Sequence, residues 1–380
     1  MDQTFLPYGR QQISDEDVAA VAAVLREPMI TQGPRVAELE AAVCEFTGSA
    51  EAVAVSSGTA ALHAAAAGLG LGPGDVVLAP PITFAASANC ARYVGAEVRL
   101  VDIDPATLNI DVEEARRIAA EDPRVRAVVA VSFAGLPVEI DPLRDAGLVV
   151  IEDGCHALGG TRHGTIVGGP SAASATCFSL HPVKAMTSGE GGLLTTEDAE
   201  LAGFVRRFRE HGIERMPGAS DGPWAYDIAQ AGFNYRITDF QCALATSQLA
   251  RLPAWVVARN EIADAYRELL TGEDRIELPP EAPPDSVHGY HLFAIQVKAG
   301  AEARRRVFEG LREASIGTQM HYIPIYRFAT YAAEHDPSDF PNSEAYYAGA
   351  LSLPVFPGMD RTDVERVVSE LQRQLAVATR

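Results

Sequence analysis

Lysine is scarce in this chain, and one of its lysines stands where an amine nucleophile would be useful. The sequence has 380 residues, of which 31 are lysine or arginine, but only Lys184 and Lys298 are lysines. Lys184 lies between an apolar run, 175–180, and a glycine-rich turn, 188–192. A lysine that is withdrawn from water has a lowered pKa and can form a Schiff base. We therefore predict a Schiff-base role for Lys184 and an ordinary surface position for Lys298.

A Schiff-base lysine is typical of enzymes that use pyridoxal 5′-phosphate (PLP), and this cofactor requires three further groups. Its phosphate needs N–H donors at the start of a helix, and Ser57-Gly58-Thr59 follows a predicted strand and opens a predicted helix. Its ring nitrogen needs a carboxylate, and Asp153 ends another apolar run. Its ring needs a flat partner, and Phe84 follows a third run. Each residue alone also fits a helix cap, a loop or a core position, but their order along the chain favours a PLP site.

The elements that would position these residues alternate between short apolar runs and helical patterns. The runs are continuously apolar, which is typical of parallel strands that are buried on both faces. Strands are predicted at 51–55, 75–79, 97–101, 125–131, 147–151, 175–180, 191–195, 291–297 and 316–322. Helices are predicted to begin at Ser14 and at Pro34 and to cover 58–67, 83–93, 111–120, 302–314 and 361–377, and a helical pattern dominates 197–270. One of the two strands beside Lys184 is expected to be antiparallel, because the connection is too short for a helical crossover.

This alternation predicts an α/β fold of two domains. We expect a large domain at 1–250, built on a mostly parallel sheet, and a smaller α+β domain at 251–380. A proline-dense segment at 279–284 predicts a loop in the second domain.

Composition excludes several other classes of protein. The formal net charge of −20 disfavours nucleic-acid binding. The five cysteines form no C-x-x-C pair and the histidines are scattered, so neither a disulfide framework nor a metal site is predicted. No segment reaches the roughly 18 apolar residues of a membrane span, and no signal-peptide pattern is present. We therefore expect a cytoplasmic protein with no membrane partner.

Taken together, the motifs resemble those of the DegT/DnrJ/EryC1/StrS family of sugar aminotransferases, which have the type I PLP-enzyme fold. The resemblance covers nearly the whole chain. The matching motifs are Thr31-Gln32-Gly33-Pro34, Ser57-Gly58-Thr59-Ala60, Ile82-Thr83-Phe84, Asp102-Ile103-Asp104, Glu152-Asp153-Gly154-Cys155-His156-Ala157, Ser179-Leu180-His181-Pro182-Val183-Lys184, Gly189-Glu190-Gly191-Gly192, Gly232-Phe233-Asn234-Tyr235-Arg236 and His321-Tyr322-Ile323-Pro324.

The resemblance implies a role for each matching residue. Lys184 would bind the cofactor and move the proton during catalysis. Asp153 would pair with the ring nitrogen, Phe84 would stack on the ring, and His156 would lie beside the phenolic oxygen. An obligate homodimer with shared active sites is also implied, because one phosphate ligand would come from the neighbouring subunit. The residues expected at the phosphate are Ser57, Gly58, Thr59, Ser179 and, from that neighbour, Asn234.

Within the family, the chain is most similar to the transaminases of pseudaminic acid biosynthesis, which form UDP-4-amino-4,6-dideoxy-N-acetyl-β-L-altrosamine. The segments that carry this similarity are 7–10, 25–34, 81–89 and 321–326. It implies L-glutamate as the amino donor and C4 of a UDP-linked 4-keto-6-deoxy-hexose as the acceptor. Arg236 would bind the donor carboxylate. The nucleotide-sugar pocket would be lined by Tyr8, Ile30, Thr31, His321, Tyr322, Ile325 and Tyr326.

Several alternatives stay open on the sequence. The acceptor could be another nucleotide keto-sugar, aminated at C3 or C4. A PLP-dependent sugar dehydratase is disfavoured, because such relatives carry histidine where this chain has Lys184. A protein that retains PLP without turnover is the alternative that is not an enzyme. A Rossmann dehydrogenase is disfavoured because the glycines of 68–74 have the wrong spacing and follow a helix.

Overall fold

In the computed structural model, which describes residues 4–171, 173–216 and 221–378, strands and helices alternate along much of the chain. The strands are β1 Glu51–Val55, β2 Val76–Ala79, β3 Glu97–Leu100, β4 Val125–Val131, β5 Val149–Asp153, β6 Thr161–Arg162, β7 Thr165–Ile166, β8 Ala175–Ser179, β9 Gly192–Thr196, β10 Ile213–Arg215, β11 Tyr226–Ile228, β12 Ile276–Glu277, β13 Phe293–Val297 and β14 Ala350–Leu353. The helices are α1 Asp15–Val24, α2 Pro34–Thr47, α3 Gly58–Gly68, α4 Ala86–Tyr93, α5 Val112–Glu121, α6 Asp141–Asp145, α7 Ala199–Phe208, α8 Asp239–Leu249, α9 Leu252–Leu269, α10 Gly300–Glu313, α11 Pro341–Gly349 and α12 Arg361–Ala378.

A seven-stranded sheet with the order β1-β9-β8-β5-β4-β2-β3 forms the centre of the larger part of the molecule. The pairs from β3 to β8 are parallel, whereas β9 is antiparallel to both β8 and β1. The predicted α/β class with a mostly parallel sheet is confirmed. The prediction of an antiparallel strand beside Lys184 is confirmed as well.

The continuous apolar runs have the expected cause, since both faces of the sheet are covered. On β4, Ala127 and Val129 belong to the core cluster on the side of α3, α4 and α7. Their neighbours Val128 and Ala130 belong to the cluster that includes α5 and α6. Because strand side chains alternate between faces, a strand that is buried on both faces must be apolar at every position.

A second sheet, of the antiparallel order β12-β13-β14, lies in the C-terminal part of the chain. It packs in one core cluster with residues of α9, α10 and α12. Helix α9 contacts both parts, because Trp255 belongs to a cluster of the large sheet and Tyr266 to the cluster of the small one. The predicted domain boundary near residue 250 stays a prediction.

One predicted element is wrong, and one hairpin was not predicted. Residues 316–322 do not form a strand but make only single bridges, of Ile316 with Leu6 and of Gln319 with Ser352, and β14 takes the place beside β13. The helical pattern at 197–270 is interrupted by the hairpin β10–β11. The limits of several others move by one to three residues; for example, α4 begins at Ala86, β5 lies at Val149–Asp153 and β13 begins at Phe293. None of the helices in the described ranges is long and apolar enough to cross a membrane.

Candidate active site

The carboxyl ends of the parallel strands meet at one edge of the large sheet, where a cavity of about 390 Å³ opens. Ser57 follows β1, Phe84 follows β2, Asp153 ends β5 and Ser179 ends β8. Lys184 lies in the turn that joins β8 to β9. All five residues line the cavity. Because α/β proteins bind ligands at this edge of the sheet, the cavity is the candidate active site.

The turn after β8 presents Lys184 to the cavity. Its backbone N–H donates to the carbonyl oxygen of His181 at 2.9 Å, which closes the turn. Burial lowers the pKa of the Lys184 amine, and the nearby Cys155 and Asp153 oppose this shift only in part. The amine therefore loses its proton more easily than a lysine in water, as a nucleophile or a proton carrier requires.

Asp153 is a fixed anion in the wall of the cavity. It is only 6% exposed, and both of its carboxylate oxygens accept hydrogen bonds. The backbone N–H of Cys155 donates to Oδ1 at 3.1 Å, and the hydroxyl of Ser87 donates to Oδ2 at 2.6 Å. A carboxylate held in this way can stabilise a cation such as a protonated ring nitrogen.

The first turn of α3 forms the part of the wall that suits an anion. Ser57 caps this helix, since its hydroxyl accepts a backbone N–H of the first turn at 3.1 Å. A Cβ on Gly58 would lie 2.9 Å from Cβ of Ser179, and a Cβ on Gly192 would lie 2.2 Å from the carbonyl oxygen of Ser57. Glycine at both positions thus allows α3, β8 and β9 to approach closely. Together with Thr59 these groups surround a helix N-terminus, which favours a phosphate.

Aromatic rings form another part of the wall. Phe84 is 62% exposed, so its ring is available for stacking. Its centroid lies 6.4 Å from that of Tyr322, and the ring of Tyr8 lies 5.3 Å from that of His321. His321 is held from behind by the hydroxyl of Ser352, 2.9 Å from its Nδ1. Tyr8, His321 and Tyr322 all line the cavity.

Both ring nitrogens of His156 are engaged within the chain. Nδ1 accepts the backbone N–H of Ala134 at 3.3 Å, so the proton is on Nε2, which lies 3.1 Å from the hydroxyl oxygen of Tyr322. Burial, and then the charge of Lys184, hold the pKa of His156 well below its usual value, so the ring is neutral. In this arrangement His156 donates to Tyr322, and the hydroxyl hydrogen of Tyr322 remains free to donate into the cavity. The predicted contact of His156 with the phenolic oxygen stays a prediction.

Sequence reasoning did not single out His291, which also lines the cavity. Its ring centroid is 4.4 Å from that of His156. It is buried, and its Nδ1 has no hydrogen-bond partner among the described residues. No local sequence pattern marked His291, because its place in the cavity depends on contact with His156 from a distant segment. The other cavity residues to which the sequence analysis assigned no role are Leu62, Thr83, Ala86, Val131, Cys155, His181, Val183 and Glu190.

Two predicted substrate residues, Ile325 and Tyr326, are not among the residues that line this cavity. Both are buried in the core cluster on the α4 side of the large sheet. The hydroxyl of Tyr326 donates to Glu344 at 2.6 Å, and its ring stacks on Phe340 with centroids 4.8 Å apart. Their part in sugar binding stays a prediction.

Four more predicted site residues are not among the residues that line the cavity. Thr31 pairs with Thr238, and the carbonyl oxygen of Ile30 accepts the N–H of Asp239 at 3.0 Å. Asp239 also holds the start of α2, because its carboxylate accepts the N–H of Gly33 at 2.8 Å. The four residues are Ile30, Thr31, Asn234 and Arg236, and we call them, with their surroundings at 29–33 and 233–238, the 30/234 surface.

The residues of the cavity fit PLP. A fixed carboxylate, an amine of lowered pKa, an exposed aromatic ring and a helix N-terminus surround one space, and these are the groups that the cofactor requires. Within the described ranges, no group of three or more histidine, cysteine, aspartate or glutamate residues could hold a metal ion.

Comparisons with known proteins agree with this geometry. The model of the DegT/DnrJ/EryC1/StrS aminotransferase family matches residues 11–372. The spore coat polysaccharide biosynthesis protein SpsC of Bacillus subtilis is 36% identical, over 97% of this chain and 96% of its own.

Solved structures are similar over nearly the whole chain. PseC of Helicobacter pylori, an aminotransferase involved in the biosynthesis of pseudoaminic acid, has a TM-score of 0.92 and 27% identity, with 98% of this chain and 100% of that chain covered. Spr1654 of Streptococcus pneumoniae, described as a sugar aminotransferase, has 26% identity and TM-scores of 0.93 in its PMP form and 0.91 in its PLP form. These two forms cover 98% of this chain and 100% and 99% of theirs.

Proposed function

This chain belongs to the DegT/DnrJ/EryC1/StrS aminotransferase family and is a PLP-dependent aminotransferase, and we propose that it transfers an amino group from L-glutamate to C4 of a UDP-linked 4-keto-6-deoxy-hexose. The observation that carries the proposal is the single cavity shared by Lys184, Asp153, Phe84 and the start of α3. The similarity to PseC supports a substrate of the pseudaminic acid pathway. The cytoplasmic location stays a prediction.

The sequence identities favour a second candidate for the acceptor. SpsC is 36% identical to this chain, whereas PseC is 27% identical. A keto-sugar nucleotide used for polysaccharide synthesis is therefore the alternative substrate, with the same cofactor and the same amino donor.

When bound, PLP withdraws electrons from the carbon that gains or loses the amino group. Asp153 would keep the ring nitrogen protonated, and its two hydrogen bonds hold the carboxylate in place. Lys184 would carry the proton to and from the reacting carbon, because its lowered pKa allows the amine to act as a base. The first turn of α3 and Ser179 would hold the phosphate, and the exposed ring of Phe84 would stack on the cofactor.

Three histidines of the cavity, His156, His291 and His321, are neutral and add no positive charge beside Lys184. Burial holds the pKa of His291 well below its usual value and lowers that of His321 to about 3. The neutral Tyr322 hydroxyl, oriented by His156, is then suited to donate a hydrogen bond to an oxygen of the substrate or the cofactor. Arg236 is not among the residues that line the cavity of its own chain, and its contact with the donor carboxylate stays a prediction.

We also propose that the enzyme is a homodimer in which each cavity is completed by the second copy. Asn234, Ile30 and Thr31 are exposed on the 30/234 surface. Near it, the hairpin β10–β11 carries large apolar side chains in water, since Trp224 is 73% and Ile228 is 56% exposed. An apolar surface of this kind is typical of a contact between subunits.

A two-step absorbance experiment on the purified holoenzyme tests the function. Glutamate is expected to bleach the absorbance band of bound PLP, and after removal of glutamate the matching keto-sugar nucleotide restores it. Recovery with the UDP-4-keto-6-deoxy-L-altrose derivative alone supports the pseudaminic substrate. Recovery with a different keto-sugar would show that the proposed substrate is wrong but would still support aminotransferase activity. The absence of bleaching by glutamate would contradict the proposed donor.

A further inference from the structure

Ser87, on the first turn of α4, makes the shortest hydrogen bond to the carboxylate of Asp153. Its side chain is buried with 0% exposure. Its Oγ lies 2.6 Å from Oδ2 of Asp153 and 3.1 Å from the carbonyl oxygen of Phe84. Because a hydroxyl has one hydrogen and a carboxylate is the stronger acceptor, this hydrogen belongs mainly to the bond with Asp153.

A second hydroxyl fixes the direction of that hydrogen. Oγ1 of Thr83 lies 2.7 Å from Oγ of Ser87, and both side chains are buried. Since the hydrogen of Ser87 is used for Asp153, Thr83 must be the donor in this pair. The three residues form a directed chain, Thr83 to Ser87 to Asp153, that ends on the carboxylate.

Ser87 also fixes the position of the aromatic residue. Its backbone N–H donates to the carbonyl oxygen of Phe84 at 3.1 Å, in the turn that leads into α4. Ser87 therefore contacts both Phe84, which is expected to stack on the cofactor ring, and Asp153, which is expected to pair with the ring nitrogen. The two groups come from different strands, β2 and β5, which lie on either side of β4 in the sheet.

We propose that Ser87 is a positioning residue for the cofactor, which sets Asp153 and Phe84 at the separation that a pyridine ring requires. The inference rests on the proposed function, because it assumes that Asp153 meets the ring nitrogen of PLP. Thr83 supports Ser87 by directing its hydrogen. Neither hydroxyl takes part in bond making or bond breaking.

A closely matched serine provides the control. Ser132 is also buried with 0% exposure, and its hydroxyl donates to Oε1 of Glu152 at 2.6 Å. Glu152 precedes Asp153 on β5 but pairs with Arg162 and does not line the cavity. Ser87→Ala and Ser132→Ala therefore delete similar bonds to neighbouring carboxylates, and only the first of these carboxylates faces the cofactor.

The test measures ligand binding to the apo-protein by fluorescence, with pyridoxamine phosphate and inorganic phosphate as probes. Pyridoxamine phosphate forms no covalent bond with Lys184, so its affinity reports the ring and phosphate contacts alone. We expect Ser87→Ala to weaken its binding about tenfold, the effect of losing one hydrogen bond to a charged group. Phosphate affinity should stay within about twofold, because the start of α3 is untouched. Ser87→Thr, which keeps the hydroxyl, should restore binding of pyridoxamine phosphate.

Ser132→Ala should lower the melting temperature as much as Ser87→Ala does, but leave both affinities unchanged. Equal losses of pyridoxamine phosphate affinity in the two variants would overturn the proposal, since the effect would then be general destabilisation. If Ser87→Ala does not fold, Thr83→Val tests the same chain of hydroxyls. This variant should weaken the binding of pyridoxamine phosphate about threefold, and an unchanged affinity would refute the proposal.

Asp153→Asn separates the failure of this inference from the failure of the proposed function. If Asp153→Asn weakens pyridoxamine phosphate binding and shifts the absorbance maximum of the PLP-loaded protein while Ser87→Ala does neither, only the role of Ser87 is wrong. If Asp153→Asn also leaves both measurements unchanged, the assignment of Asp153 to the ring nitrogen fails, and with it the premise of the inference.

Discussion

Burial keeps the amine of Lys184 partly out of water and lowers its pKa below the usual 10.5. In the apo-protein the unfolded chain therefore holds this proton to higher pH than the folded chain does, and the charged amine destabilises the fold. Each pKa unit of the shift corresponds to about 1.4 kcal/mol. We expect Lys184→Met to raise the free energy of unfolding at pH 7, and the gain to shrink as the pH rises toward 10.5, in urea unfolding of the apo-protein.

Lys298 provides the control for this prediction, because it is exposed at the end of β13. Lys298→Met should give no comparable gain at pH 7. A gain for Lys184→Met that is the same at every pH would show that methionine packs better and that charge is not involved. Loss of the gain on adding PLP is expected, since only the protein with Lys184 can bind the cofactor covalently.

The cofactor residues that the sequence predicted in the cavity share one property: each follows, or ends, an apolar strand. Asp153 and Ser57 could be located in this way because the carboxyl ends of parallel strands meet at one edge. His291 and Ser87 could not, because their importance comes from contacts with Asp153, His156 and other distant segments. No local pattern encodes such a contact.

At the scale of elements, the local patterns predicted most strands of the large sheet and failed where pairing is long-range. Residues 316–322 alternate like a strand, but β13 pairs instead with the short run Ala350–Leu353. Edge positions in a sheet are filled by the segment that the tertiary fold brings there, not by the segment with the best local pattern. The hairpin β10–β11 was missed for the same reason, since its residues 213–228 carry no clear alternation.

That hairpin gives the prediction for the dimer. On this short hairpin, Trp224 is 73% exposed and Tyr226 is 59% exposed. Exposure of such large apolar side chains to water is unfavourable in free energy for a monomer. If a second copy covers the hairpin, Trp224→Ser removes a large apolar contact. We expect the dimer dissociation constant to rise about 30-fold or more, as for an aromatic residue at the centre of an interface. Analytical ultracentrifugation over a dilution series measures it.

Val257 offers a control on a different element, because it is an apolar residue that is 58% exposed on α9. Val257→Ser should leave the dissociation constant unchanged. A Trp224→Ser protein that remains as dimeric as the parent would show that the hairpin faces water or another partner. Reduced PLP affinity in the monomeric fraction is expected as well, because Asn234 would no longer reach the other cavity.

The two parts of the molecule meet around buried histidines, and these make the whole fold sensitive to acid. His156 comes from the large sheet, whereas His288, His291 and His321 come from the C-terminal part. All four are at most 7% exposed. Burial lowers the pKa of His288 and of His321 to about 3, and holds those of His156 and His291 well below 6.5. The contact of His156 with His291, which joins the two parts, is therefore made between neutral imidazoles.

The sign of the pH effect follows from these shifts. Below pH 6.5 the unfolded chain binds protons that the folded chain excludes, so the free energy of unfolding falls as the pH falls. At pH 5.5 we expect the four histidines to take up about four protons when the apo-protein unfolds in urea, measured directly by titration, and each costs about 1.4 kcal/mol per pH unit. His288→Gln, outside the cavity, should reduce the uptake by about one proton.

His163 is the control of opposite sign, because hydrogen bonds from its ring to Asp285 and Glu139 raise its pKa. Its replacement by glutamine should not reduce the uptake. An uptake that stays the same in His288→Gln would mean that this ring is already charged in the folded protein.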